Sequence, residues 1–272
     1  MMNINTNYAS SFAANAAKQT SRALDSSIEK LSSGSRINFA RDDAAGQAVA
    51  TRLSAESKSL SIASRNAADA QSMVDTAEGA LQESHTVLLR MRELAVQSSN
   101  GTLQSADRSA IDAEFQQLEA EVNRIANNTK WAGTALLSGA AVTFQVGTGN
   151  TSNDRITVTL PTASGTNLGI STLAANTVKT AQAAITGIDS AIAKVSEMRG
   201  KLGAVSNRLS NTIANLDQVN VNLSASKGRI QDTDFASETS ELARNQIMQQ
   251  AATAMLAQAN ASKGTVLTLI QS

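Results

Sequence analysis

Residues Leu53–Ala95 read LSAESKSLSIASRNAADAQSMVDTAEGALQESHTVLLRMRELA. Every seventh residue from the first is apolar: Leu53, Leu60, Ala67, Val74, Leu81, Leu88 and Ala95. An offset row of mostly small residues lies beside it, Ala63, Ala70, Ala77, Ser84 and Met91. The same beat returns far down the chain as Ala181, Ile188, Val195, Leu202, Leu209, Leu216, Leu223 and Ile230. Its flanking row is Ala184, Ala191, Met198, Val205, Thr212 and Val219. A stripe with this repeat stays on one helix face only when the helix packs on a partner with coiled-coil geometry. The fold class is therefore mainly α: long antiparallel helical rods with coiled-coil packing and a small β-hairpin.

Working outward, the first long helix spans about Ala44 to Ser98 and at about 1.5 Å per residue would reach about 80 Å. Asn100-Gly101 turns the chain back. A shorter helix follows from about Ser105, its N-cap, to Asn127, packing through Ile111, Phe115, Leu118, Val122 and Ile125. The period then changes to two. Val142, Phe144 and Val146, and then Ile156, Val158 and Leu160, alternate with polar residues on either side of a turn-rich Gly147–Asp154, predicting a hairpin at about 141–160 that Pro161 ends at an edge. Ser164–Ser171 reads as an irregular link. The second long helix occupies about Leu173 to Ser226, and its Gly187, Gly200 and Gly203 permit close backbone approach to a neighbour.

At the N-terminus, Ile4, Tyr8, Phe12, Ala16, Ala23 or Leu24, Ile28 and Leu31 mark one amphipathic helix stopped by Gly34. Ser35–Asp43 has no steady period and reads as an ordered connector. Lys227-Gly228-Arg229 marks a second joint before a last helix from about Asp234 to Leu269, with Asp232 or Asp234 at its positive end. Ile4, Tyr8, Phe12, Ile28 and Leu31 at one end, with Leu242, Ile247, Met255, Leu256, Val266, Leu267, Leu269 and Ile270 at the other, supply more apolar surface than two helices can hide from each other. Packing among several subunits is the best sink for it.

Composition narrows function by exclusion. The chain of 272 residues balances 23 basic against 23 acidic groups, so no basic stripe points to nucleic acid. It has no cysteine, one proline and few aromatic residues, which suits close helix packing and excludes thiolate metal sites. No apolar run reaches about 18 residues and no conventional signal peptide is evident, so sequence physics alone favours the cytoplasm. The single histidine, His85, has no second histidine or cysteine to complete a zinc or acid-base site. Asp42-Asp43 beside Arg41 reads as salt bridging or capping rather than a metal pair. No nucleophile elbow, phosphate loop or dinucleotide fingerprint occurs, so no enzymatic activity and no cofactor is expected. The mixed-charge run Arg90-Met91-Arg92-Glu93-Leu94-Ala95-Val96 is either a solvated helix face or a lateral contact between subunits.

These regions closely resemble bacterial flagellin. The likeness rests on Ile4-Asn5-Thr6-Asn7, on Leu31-Ser32-Ser33-Gly34-Ser35-Arg36-Ile37-Asn38, and on Asp42-Asp43-Ala44-Ala45-Gly46-Gln47-Ala48. It continues through Arg65-Asn66-Ala67, Glu78-Gly79-Ala80-Leu81, Arg90 to Val96, Gln97-Ser98-Ser99-Asn100-Gly101 and Gly228-Arg229-Ile230-Gln231-Asp232-Thr233-Asp234-Phe235-Ala236. The resemblance implies a secreted subunit that polymerises with many copies of itself into the hollow extracellular flagellar filament, which reverses the cytoplasmic expectation. It implies that residues 1–44 and 231–272 pair as the inner-core domain, that 45–230 form the outer rod, and that Gly34, Arg36, Ile37, Asp42, Asp43, Gly228, Arg229, Asp232 and Phe235 belong to two joints that carry strain between packing states. Implied partners are an export chaperone at the C-terminal helix and the filament cap and hook-junction proteins. The vertebrate toll-like flagellin receptor is implied as a further partner, since Arg90, Leu94 and Glu114 match residues used there; with Leu89, Arg92 and Glu93 they make a patch for lateral contact or receptor recognition. Leu89 departs from the glutamine of recognised members. The short middle region leaves room for the hairpin but not for the large outer domains of many flagellins. Competing readings are a hook-filament junction protein and a coiled-coil adhesin or signalling module that does not polymerise.

Overall fold

The computed structural model describes residues 6–271, with side chains for residues 6–262. Element order is α1 (Tyr8–Ser33), α2 (Ala44–Ser98), α3 (Ser105–Asn128), β1 (Lys130–Trp131), β2 (Thr134–Ala135), β3 (Ala141–Gln145), β4 (Arg155–Thr159), α4 (Gly165–Leu168), α5 (Val178–Gln231) and α6 (Phe235–Gln271). The described residues form two compact units, one of residues 6–55 and 222–271 and the other of residues 56–221.

In the larger unit the seven-residue beat is the core. Ala67, Ala77, Leu81, Leu88, Met91 and Ala95 of α2, and Ala181, Ile188, Val195 and Leu209 of α5, are all sealed from solvent. Polar pairs beside the seam give its direction. Asp75 accepts from Ser206 Oγ at 3.3 Å, Glu78 meets Arg199 at 2.7 Å and Arg92 meets Asp189 at 2.7 Å, so numbers rise along α2 as they fall along α5. The two helices are antiparallel. α3 closes the bundle through Phe115 and Val122, both fully buried, with Ile111 and Ala126 beside them.

The hairpin pairs Val142 with Val158 and Phe144 with Ile156 in antiparallel register. Alternation turns Ile156 and Val158 into the helical core while Thr143 and Thr157 face outward, their hydroxyls 3.1 Å apart. Its tip folds around Asp154, whose carboxylate accepts from the Thr151 N–H and hydroxyl at 3.0 and 2.6 Å. Those bonds hold the Asp154 carboxyl below its ordinary pKa, the hydroxyl bond contributing most.

Several boundaries differ from the sequence reading. The N-cap of α3 is Gln104, whose N–H donates to Asp107 Oδ2 at 3.0 Å, so the acid three residues on decides the start rather than Ser105. The link at 164–171 contains one helical turn, α4, capped by Ser164 and ended by Gly169 at φ 83°. α5 starts at Val178 rather than near Leu173, because Thr177 and Thr180 cap one another there. Of Gly187, Gly200 and Gly203, only Gly187 meets a close neighbour, the Leu173 side chain 2.8 Å from where a Cβ would stand; the other two have none within 4 Å.

The short β1–β2 hairpin has no counterpart in the sequence reading. Its two turn residues, Ala132 and Gly133, both take positive φ, 47° and 86°. An Ala-Gly pair lacks the asparagine or aspartate that advertises such a turn. The segment that follows it buries Leu136 and Leu137 almost completely.

Candidate functional site

In the smaller unit, α1 and α6 lie antiparallel. Asn7 Nδ2 donates to the Ala259 carbonyl at 3.0 Å, Ser10 Oγ to Asn260 Oδ1 at 2.9 Å, and at the opposite end Lys30 meets Glu238 at 3.6 Å. Asn7 also caps α1 by accepting from the Ser10 N–H at 3.1 Å, and Asp234 caps α6 by accepting from the Ala236 N–H at 3.0 Å. The seam between the helices uses small residues: Ala13 and Ser27 are its buried members on α1. Short side chains bring the backbones together and leave the large ones no room inside.

The large apolar residues consequently face outward. Tyr8 is 70% exposed, Phe12 78%, Ile247 66% and Met255 63%, with Ile28, Met248 and Phe235 also exposed. Leu31, Leu242 and Leu256 are half-buried. Predicted assembly residues thus divide into those that hold the pair together and those left without cover. Ile4 lies outside the described residues, and Leu267 and Leu269, with Val266 and Ile270, lie outside the described side chains. Between the helices runs an apolar groove of about 410 Å³ lined by Phe12, Ala13, Ala16, Met248, Ala252 and Met255.

The two predicted joints bind each other. Gly34 ends α1 at φ 69° and its carbonyl accepts from the Thr233 N–H at 3.0 Å. Ser35 bridges Asp232, and the Arg36 N–H and Nη2 donate to the Gln231 and Ile230 carbonyls at 2.7 and 2.8 Å, capping the end of α5. Ile37 is 2% exposed and sits so close to Gly46 that a Cβ there would stand 2.7 Å from Ile37 Cδ1. Asp42 accepts from the Phe39 and Asn38 N–H groups at 3.0 and 3.2 Å, and Asp43 Oδ1 caps α2 by accepting from the Gly46 N–H at 2.9 Å. The Phe39 bond, aided by those of Asn38 and the nearby Arg41 charge, holds the Asp42 carboxyl below the ordinary aspartate value. Capping accounts for both aspartates.

One joint is shorter than the sequence predicts. Gly228 and Arg229 lie inside α5, which runs unbroken to Gln231, so the break is confined to residues 232–234. One glycine costs a helix about 1 kcal/mol, too little to stop fifty-odd helical residues whose last carbonyls Arg36 satisfies.

On α2, Arg90 reaches Glu93 at 3.0 Å and Glu114 at 2.9 Å, and the bond to Glu114 does most to raise its pKa above the ordinary arginine value. Arg92 is held by Asp189. Leu89 is 43% exposed beside them, whereas Leu94 is 2% exposed and belongs to the core, so it shapes the patch from beneath and offers no surface. Helical spacing explains this: Leu94 stands three residues after Met91 and six after Leu88, on the seam side.

His85 is half-buried, and among the described residues no group of three or more histidine, cysteine, aspartate or glutamate side chains could hold a metal. No helix among the described residues is long and apolar enough to cross a membrane. Long antiparallel helices and a terminal pair whose large apolar side chains lack cover define a self-associating structural protein. Residues 4–142 match the bacterial flagellin N-terminal helical region and residues 185–270 the bacterial flagellin C-terminal helical region. The chain is similar to a flagellin of Halalkalibacterium halodurans, 46% identical over 248 residues that cover 90% of each chain. It is also similar to the crystal structure of Bacillus cereus flagellin, at 32% identity and TM-score 0.51 over 56% of this chain and 88% of that one. A flagellar hook-associated protein of Vibrio parahaemolyticus shares the fold at TM-score 0.60, covering 70% of this chain and all of that one, but at only 16% identity. The chain belongs to the bacterial flagellin family. It is a structural, non-catalytic subunit that self-assembles into the extracellular filament used for swimming.

Proposed function

We propose that the α1–α6 pair is the inner-core element of the filament and that residues 45–230 form the outer rod. The observation that carries this reading is the outward display of Tyr8, Phe12, Ile247 and Met255 from a pair held by small residues. Covering that face with neighbouring copies removes apolar area from water at about 25 cal/mol per Å², and this drives polymerisation. The linked joints, with Arg36 seated on the end of α5, transmit register shifts between the parts.

The same uncovered α6 face is the surface an export chaperone would shield before secretion, and cap and hook-junction proteins would meet the terminal pair at the filament's ends. The exposed Leu89, Arg90, Arg92, Glu93 and Glu114 form a lateral contact in the filament, and in free monomers the surface for a vertebrate toll-like receptor. Fully solvated ion pairs add little affinity, so that patch sets register more than strength.

Because the chain has no cysteine, a single Tyr8→Cys substitution tests the inner-core reading. The introduced thiol should react with a maleimide in monomers and be protected in filaments seen by electron microscopy. Equal reactivity in both forms, or discrete dimers and tetramers at every concentration, would refute it.

A further inference from the structure

Sulfur is distributed unevenly in this protein. With no cysteine, methionine is the only readily oxidised residue type containing sulfur. Met73 and Met91 are 2% and 0% exposed in the larger unit's core and Met198 is half-buried against it, while Met248 and Met255 of α6 are 54% and 63% exposed. Seven positions apart, the latter two lie two turns along one helix face, about 10 Å from each other. Both line the apolar groove against Phe12 of α1.

We propose that Met248 and Met255 form an oxidation-sensitive pair that controls whether the free subunit can polymerise. The inference rests on the reading that this face is buried in the filament. The reagent is a two-electron oxidant of the peroxide class. The thioether sulfur attacks one peroxide oxygen, the O–O bond breaks, an S–O bond forms, and the second oxygen leaves as water with both protons. Sulfur is oxidised by two electrons and the peroxide is reduced by two. The product sulfoxide is polar, so a flexible apolar contact becomes an acceptor that a dry interface leaves unpaired. Met73 and Met91 are shielded and Met198 is half-covered, so dilute oxidant reaches the α6 pair first and the oxidised chain keeps its fold while losing the assembly face. The change is reversible by methionine sulfoxide reductases, one for each epimer at sulfur.

The test treats purified monomer with dilute hydrogen peroxide, locates added oxygen by peptide mass spectrometry, and follows helicity by circular dichroism and seeded polymerisation by light scattering. Oxygen should appear at Met248 and Met255 before Met73 and Met91, with helicity retained and the concentration needed for polymerisation raised about tenfold or more. A Met248→Leu/Met255→Leu variant should polymerise equally well with and without peroxide, which excludes Met1, Met2 and the half-buried Met198 as the cause. Reductase treatment should restore the oxidised wild type. Oxidised wild type that polymerises like untreated protein would overturn the proposal. A Met248→Gln/Met255→Gln variant separates the two readings. If that variant polymerises normally without peroxide, the buried-face reading fails; if it does not assemble while doubly oxidised wild type does, the oxidation inference alone fails.

Discussion

Truncating Phe12 to alanine should separate assembly from folding. Phe12 is 78% exposed on α1, so little of it contributes to the isolated chain, whereas an inner-core position would bury the ring fully. Complete burial of a phenylalanine is worth about 1.5–3 kcal/mol, and the fraction still exposed therefore represents about 1.2–2.3 kcal/mol per subunit added. Alanine forfeits most of this, about 1–2 kcal/mol, which raises the critical concentration for polymerisation about 5- to 30-fold. Monomer stability should fall by less than about 0.7 kcal/mol, since alanine also restores helix propensity. Sedimentation of seeded polymerisation mixtures gives the critical concentration, and thermal circular dichroism gives the monomer's melting. A variant whose critical concentration equals that of wild type would refute the reasoning. So would a monomer destabilised as much as assembly is, because Phe12 would then be an ordinary core residue.

Phe115→Ala empties a fully buried site in the larger unit and should cost about 3–5 kcal/mol, lowering Tm by roughly 6–20 °C in a thermal melt. Gly34→Val forces a β-branched residue into a left-handed conformation at φ 69°, at a cost of at least about 1–2 kcal/mol; there is space for the side chain, Phe235 Cζ being 4.0 Å from the new Cβ, so the penalty is conformational. Poorer filaments or poorer swimming are expected, and normal results in both would contradict the assigned role of the joint. Asp42 has a folded pKa below its unfolded one, so its contribution is complete above about pH 4 and disappears as pH falls through the folded value. Acid melting curves of wild type and Asp42→Asn should therefore converge at low pH and separate above it, wild type being the more stable.

How far the sequence could be read depended on whether one local pattern or several competing ones decided a feature. The bounds of α2 follow directly from an uninterrupted beat ending at Asn100-Gly101, and they stand at Ala44–Ser98. Gly34 as the stop of α1 is equally legible, because it depends on a single residue's geometry, whereas the sequence leaves Asp232 and Asp234 open at the start of α6 and the structure gives the cap to Asp234. Gly228 is not legible in this way, since whether a glycine ends a helix depends on what satisfies the next carbonyls, and here that is Arg36 from a distant segment. The β1–β2 hairpin is not legible in the sequence because its turn places Ala132 at φ 47°, a left-handed conformation that an alanine does not advertise.

Among the predicted site residues the division is similar. Composition and spacing establish that α1 and α6 are rich in apolar side chains, and the seven-residue period that α2 and α5 share a seam, because side-chain direction in a helix repeats with position. Which of those side chains remain in water is a tertiary matter. Ala13 and Ser27 occupy the seam and exclude Tyr8, Phe12 and Ile28 from it, while Leu94 is drawn under the Arg90 patch by its neighbours Met91 and Leu88. A sequence specifies what a surface is made of; the closeness of a second backbone decides which side of the helix that surface occupies.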